Sequence, residues 1–245
     1  MHLYLLIMAF SFLSSYLMSS GSYEPVRAQR FLTAVKSNNL KNAKSLITPE
    51  ICSLQDFKGE TPLHYTAVAW YPDDEVIPLV KLLLKKGAKP HVPDNTGVTP
   101  LHLAAMQVLK DQDRTALVKS LLKAGAQPNY KDKINGQTPL HYAFTAGLPR
   151  YSAVKQLLKA GANSSIKDTN GDTPLHLAAK MEGATQDHAR IVRALLKKGN
   201  GNPFIKNNNG HTPFDISNNS KNRLITKELE KYTKRNRDGA HSSLT

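Results

Sequence analysis

Nine histidines and one cysteine are the side chains of this chain that could hold a metal, carry a proton or act as a nucleophile. Four of the histidines, His64, His102, His141 and His176, stand 38, 39 and 35 residues apart, each as the fourth residue of the phrase Thr-Pro-Leu-His. A tetrahedral metal centre needs ligands that converge on one point, and histidines set one repeat apart along a stack cannot converge. His91, His188, His211 and His241 are scattered, without cysteine partners and without a His-x-x-x-His pair. Cys52 has no second cysteine for an internal disulfide and reads as a small buried apolar residue. The sequence holds no Gly-x-Ser-x-Gly, no phosphate-binding glycine loop ending in Lys-Ser/Thr and no dinucleotide fingerprint. No catalytic residue, metal ligand or cofactor is therefore expected, and an enzyme is not the reading. The histidine rings are expected to be structural, bonding backbone or the threonine hydroxyl and so tying one turn to the next.

The elements that position these histidines follow from the phrase itself. It reads Thr-Pro-Leu-His-Leu-Ala-Ala from Thr99 and again from Thr173, with close variants from Thr61 and Thr138 and a decayed copy, Thr-Pro-Phe-Asp, from Thr212. The five threonines are 38, 39, 35 and 39 residues apart, and a fixed phrase at a nearly fixed period marks a solenoid. Proline suits the first turn of a helix, where a missing N–H costs nothing, and threonine before it can cap that helix. A second phrase follows, of which Leu121-Leu122-Lys123-Ala124-Gly125-Ala126 is one copy. It predicts an apolar helix ended by glycine in the left-handed conformation, at Gly87, Gly125, Gly161 and Gly199. Tight-turn residues such as Asp94, Asn95 and Gly97, or Asp168, Asn170 and Gly171, then lead into the next threonine.

Helix, helix, glycine stop and turn together resemble the ankyrin repeat, over roughly Arg27 to Lys234. The resemblance implies an all-α solenoid of helix-turn-helix units linked by β-hairpin turns. The units are expected at about 27–55 (a degenerate N-cap), 56–93, 94–132, 133–167, 168–206 and 207–234 (a C-cap in which Asp215 replaces the histidine). The spacing from threonine to closing glycine, 26, 26, 23 and 26 residues, exceeds the roughly 21 that a consensus repeat of about 33 residues places there. The extra residues fall between the two helices, for example Trp70 to Asp74 and Lys110 to Arg114. They either elaborate one edge of the molecule or merely solvate longer helices.

The ends differ in kind from the array. Leu3 to Met18 is uncharged and is followed by Ser19-Ser20-Gly21-Ser22, which reads as a signal peptide over residues 1–21 cleaved before Ser22. An uncleaved anchor over residues 3–23 and a buried N-terminal segment are the alternatives. Residues 235–245 lack apolar periodicity and read as a disordered basic tail. The chain carries 33 Lys+Arg against 19 Asp+Glu, a net +14, which favours acidic partners. Lys85, Lys86, Lys123, Lys159, Lys197 and Lys198 also suit the last turn of a helix, where cations complement the dipole. No aromatic interleaving or nucleic-acid fold accompanies the charge.

The expected function is a non-enzymatic protein–protein interaction module, an exported adaptor or effector-like binder, monomeric, with a protein partner that is acidic. A membrane-anchored scaffold and a basic surface for nucleic acid or anionic lipid are the alternatives. Arrays of this family bind through turn tips and the concave face of the first helices. Carried onto this sequence, the partner-binding positions are Phe57, Lys58, Val68, Asn95, Met106, Ile134, Thr169, Asn170, Lys180 and Met181. Met106 and Met181 occupy equivalent positions two repeats apart, and Trp70 and Tyr71 adjoin the same face at the start of the first inserted loop. Aromatic residues are the usual hot spots of interfaces.

Overall fold

The computed structural model describes residues 24–241 apart from 38, 69–72, 107–113, 146–150, 182–184 and 221. The signal-like segment, Trp70, Tyr71 and most of the inserted residues lie outside the described ones. The described residues form thirteen helices: α1 (Glu24–Lys36), α2 (Leu40–Leu46), α3 (Pro49–Ser53), α4 (Pro62–Val68), α5 (Asp73–Lys85), α6 (Pro100–Met106), α7 (Thr115–Lys123), α8 (Pro139–Tyr142), α9 (Tyr151–Lys159), α10 (Pro174–Ala179), α11 (Gln186–Lys198), α12 (Pro213–Asn219) and α13 (Arg223–His241). None of them is long and apolar enough to cross a membrane.

Each first helix starts where the threonine puts it. Thr138, Thr173 and Thr212 have extended backbone (φ −95°, −95° and −85°), and the proline that follows sets the first helical residue. The helices then sort into two layers. The helices α1, α4, α6, α8, α10 and α12 touch in that order in one layer, and α2, α5, α7, α9, α11 and α13 touch in that order in the other. Apolar residues from both layers fill the space between. The phrase leucines Leu63, Leu101, Leu140 and Leu175 are at most 1% exposed, and Leu83, Leu121, Leu157 and Leu195 of the second helices are wholly buried. Each such leucine contributes about 1.5–3 kcal/mol of burial free energy. The core is a ribbon running the length of the stack, because each unit buries its face only against its neighbours.

The unit ahead of the first full repeat lacks the phrase but uses the same local chemistry. Thr48 caps the short α3 by accepting from the Ile51 N–H at 3.3 Å, with Pro49 at the first position. Phe31 and Ile51 close this end of the core, and Cys52 is buried with its thiol donating to the Leu83 carbonyl at 3.6 Å.

Two details depart from the sequence reading. Gly87, Gly125 and Gly161 end their helices at φ of 101°, 95° and 85°, as expected of left-handed stops. Gly199 does not: its φ is −97°, and Asn200 takes the left-handed position at φ 54°. Helix α11 keeps one more residue than its predecessors, and asparagine tolerates that conformation better than other side chains. The glycine serves a different need there. A Cβ on Gly199 would meet Ser164 Oγ at 2.3 Å and Leu158 Cδ2 at 2.8 Å. The second departure is at the C-terminus. Helix α13 continues to His241, into the stretch expected to be disordered. That stretch holds no proline to end a helix that has already been nucleated against the core.

Candidate functional site

The edge of the stack where turns project is built from one Asx side chain per unit, an aspartate in four turns and Asn207 in the last. Asp94 Oδ1 accepts from the N–H groups of Thr96 and Val98, both at 2.9 Å. Asp56 does the same for Lys58 and Glu60, and Asp168 for Asn170 and Asp172. Asn207 Oδ1 holds Asn209 and His211 in the last turn. The third turn is one residue longer. Asp132 accepts there from Ile134, Asn135 and Gln137, and Ile134 is carried onto the tip. Each turn is closed as a hairpin by a backbone pair, such as Asp94 N–H to Val98 O at 2.8 Å. Tips are joined from unit to unit by Asn95 to Lys58, Lys133 to Thr96, Thr169 to Asn135 and Asn208 to Asn170, at 2.8–3.0 Å from N–H to carbonyl. These bonds are too few to make strands, and no strand occurs among the described residues. The stacking is tight enough that a Cβ on Gly97 would lie 2.7 Å from Lys133 N.

Below the tips run the histidines. In each of four units Nδ1 faces the N–H and hydroxyl of the threonine three residues earlier, at 2.9–3.1 Å and 2.8 Å. Nε2 faces a backbone carbonyl of the next unit: His64 to Val98, His102 to Gln137, His141 to Asp172 and His176 to His211, at 3.0–3.2 Å. A carbonyl only accepts, so Nε2 carries the proton and Nδ1 is the acceptor. The ring therefore acts as the third residue of a capping box and, with its other nitrogen, as a rivet to the following turn. Burial holds the pKa of all four below the usual histidine value, His102 to about 4. Asp215 performs the capping half alone. Its Oδ2 accepts from Thr212 N–H at 2.8 Å and from the Thr212 hydroxyl at 2.7 Å, and those bonds lower its pKa. His188 repeats the cap at the start of α11, where its Nδ1 accepts from Thr185 N–H at 3.0 Å.

The side chains on this frame are unequal. Phe57 (69% exposed) and Ile134 (61%) project from the first and third tips, and Val68 (44%) is exposed at the end of α4. Lys58 lies over the Phe57 ring at 5.7 Å, and Lys133 is exposed beside Ile134. Asn95, Thr169 and Asn170 are exposed on their tips, although the Asn95 amide already donates to Phe57 O at 3.1 Å. Met106 is half-buried. Met181 is a correction: it is 8% exposed and packs into the core, so it presents no surface to a partner. Its backbone carbonyl is held by Asn222 Nδ2 at 2.8 Å, just ahead of α13. Lys180 remains exposed and pairs with Asp172, a carboxylate that also accepts from Asn207 Nδ2 at 2.8 Å. Phe204 (52% exposed), in the connection after α11, was not foreseen. The signal was an aromatic residue in a connection otherwise rich in asparagine and glycine. Phenols stiffen the same edge: Tyr65 donates to Asp56 Oδ2 at 2.5 Å, and burial plus that carboxylate push its pKa up.

A family sequence model described as ankyrin repeats (3 copies) matches residues 31–132, 106–199 and 150–234. A crystal structure of an ankyrin-repeat protein is similar to the chain, with a TM-score of 0.66 and 26% identity, covering 83% of this chain and 97% of that one. No curated protein matches it.

Proposed function

The chain belongs to the ankyrin-repeat family, whose arrays generally serve as protein–protein interaction modules, and on that premise we propose that it is an exported adaptor without catalytic activity. It binds a protein partner through the turn tips and the first-helix layer. The observation that carries this is the contrast on the tips. A bonded, rigid frame of Asx-type turns exposes two large apolar residues, Phe57 and Ile134, with Lys58 and Lys133 beside them. Apolar groups held out on a stiff scaffold lose little entropy on binding and make good anchors. The flanking lysines select a partner that is acidic at the contact. Export rests on the uncharged run Leu3 to Met18 and the small residues after it.

The test is a pull-down with the 22–245 fragment from an extract of cells, followed by affinity measurement of the captured partner against wild type and the Phe57→Ala/Ile134→Ala variant. A loss of at least about tenfold in affinity with unchanged helical content supports the reading. Unchanged affinity removes the tips as the site.

A further inference from the structure

The charge of the molecule is not spread evenly over its two layers. The first helices α4, α6, α8, α10 and α12 contain no lysine or arginine. The second helices α5, α7, α9 and α11 repeat a cationic pattern in register. Lys81, Lys119, Lys155 and Arg193 each follow a buried valine, namely Val80, Val118, Val154 and Val192. Four residues later, on the same helix face, come Lys85, Lys123, Lys159 and Lys197. Because these helices lie side by side in one layer, the two sets form two rows across four units, about 8–10 Å between helices and one turn, about 5.4 Å, between rows. All are exposed except Lys155, which is half-buried over the Tyr151 ring at 5.8 Å.

Helix dipoles account for the second row, which lies in or beside the last turn. They do not account for the first row, one turn further in, because the dipole effect fades within that turn. A lysine-rich composition does not account for it either, since the first helices of the same four units, α4, α6, α8 and α10, hold none. Within the four helices that carry the rows, the carboxylates stand elsewhere. Asp73, Asp74 and Glu75 start α5, Asp187 starts α11 and binds Arg190, and α7 and α9 contain none. Arg193 is engaged by Glu228 of α13, which also takes Lys231. Among the described residues the seven lysines of the two rows make no ion pair. Helix α13 extends the basic face with exposed Arg223, Lys227, Lys231 and Lys234.

We propose that this second-helix face docks on an anionic lipid bilayer. A two-dimensional array of lysines with no aromatic side chain exposed on it suits a charged plane. Nucleic-acid surfaces add aromatic stacking platforms or an element that enters a groove, and the exposed aromatics Phe57 and Phe204 sit on loops instead. Each cation near an anionic leaflet adds to the attraction, which decays within a Debye length of about 8 Å at physiological salt. The turn tips and first helices stay free, so partner binding and membrane docking use different surfaces.

The experiment is co-sedimentation of residues 22–245, the exported form, with phosphatidylcholine vesicles containing phosphatidylserine, against phosphatidylcholine alone, at low and high salt. The expected result is binding at least about tenfold stronger to the anionic vesicles, weakened by salt. It should fall at least about tenfold in the K119Q/K123Q/K155Q/K159Q variant with thermal stability preserved, and not in K58Q/K133Q. Equal binding to both vesicles, or full binding by the fourfold variant, overturns the proposal. So does duplex DNA or RNA that outcompetes the vesicles and loses its own binding in the fourfold variant, which reassigns the face to nucleic acid. The fourfold variant is expected to keep its affinity for the protein partner, so failure here leaves the reading of the tips standing.

Discussion

Replacing His141 by alanine removes three bonds at the centre of the array. Thr138 N–H loses its acceptor at 3.1 Å, the Thr138 hydroxyl loses a partner at 2.8 Å, and the Asp172 carbonyl loses a donor at 3.2 Å. Thr138 is fully buried and Asp172 is 2% exposed, so water cannot take over without rearrangement. A stranded buried donor or acceptor costs about 1–3 kcal/mol, and two of them with the lost ring volume put the variant roughly 3–5 kcal/mol down. Total stability of a domain is about 5–15 kcal/mol, so the effect is large. The assay is urea unfolding followed by circular dichroism, read as a shift in midpoint at constant slope. His141→Asn is the informative companion. Its amide oxygen takes the place that Asp215 Oδ2 takes over Thr212, restoring the cap without the bond to the next unit. It should recover about half of the loss. A midpoint for His141→Ala equal to wild type would refute the rivet reasoning, and equal midpoints for the two variants would show that the cap contributes nothing.

Three other outcomes are expected. Stability should hold between pH 8 and 7 and fall as the pH drops from about 6.5 toward 4. The reason is that His102 titrates at about 4 in the fold against an ordinary 6.5, so the unfolded chain takes up its proton first. His64, His141, His176 and His188 act in the same direction, His102 alone contributing on the order of 3 kcal/mol, and a flat midpoint between pH 7 and 5 contradicts the neutral, riveted rings. The Phe57→Ala/Ile134→Ala variant should lose at least about 1.4 kcal/mol of partner affinity, tenfold, by calorimetry. The N-terminus of the exported protein should lie within a few residues of Ser22, and N-terminal sequencing that finds Met1 rejects the cleaved signal.

What was legible in the sequence was local. The phrase Thr-Pro-Leu-His announces its own cap because all its bonds but one lie within four residues. The turn aspartates were half legible. Asp94 and Asp168 stood out beside a glycine, whereas Asp132 governs a longer turn and Asn207 does the same work without a charge. Met181 was misread because it shares its register with Met106. Its carbonyl is captured by Asn222, just ahead of α13, and the side chain joins the core. Gly199 was misread because two neighbouring residues could take the left-handed stop, and the choice fell to the contact with Ser164 in the preceding unit. The two rows of lysine were present in the sequence, but a row exists only once four helices are laid side by side.

Asp215 shows how the array closes itself chemically. An imidazole is required where one side chain must accept from its own threonine and donate to the next turn, because its two nitrogens can take opposite roles. A carboxylate accepts only, and so satisfies the first demand and not the second. At Thr212 the second demand is absent: after α12 the chain enters α13, and no further turn carbonyl approaches among the described residues. Histidine at 215 would leave Nε2–H without the carbonyl it has in the other four units. Aspartate there bonds the threonine more strongly, as a charged acceptor, at a site that is only half-buried. The same logic makes the exchange directional. Histidine placed at 215 costs little, since water can reach its free N–H, while aspartate placed at 141 would turn an accepting oxygen toward the Asp172 carbonyl in a buried site.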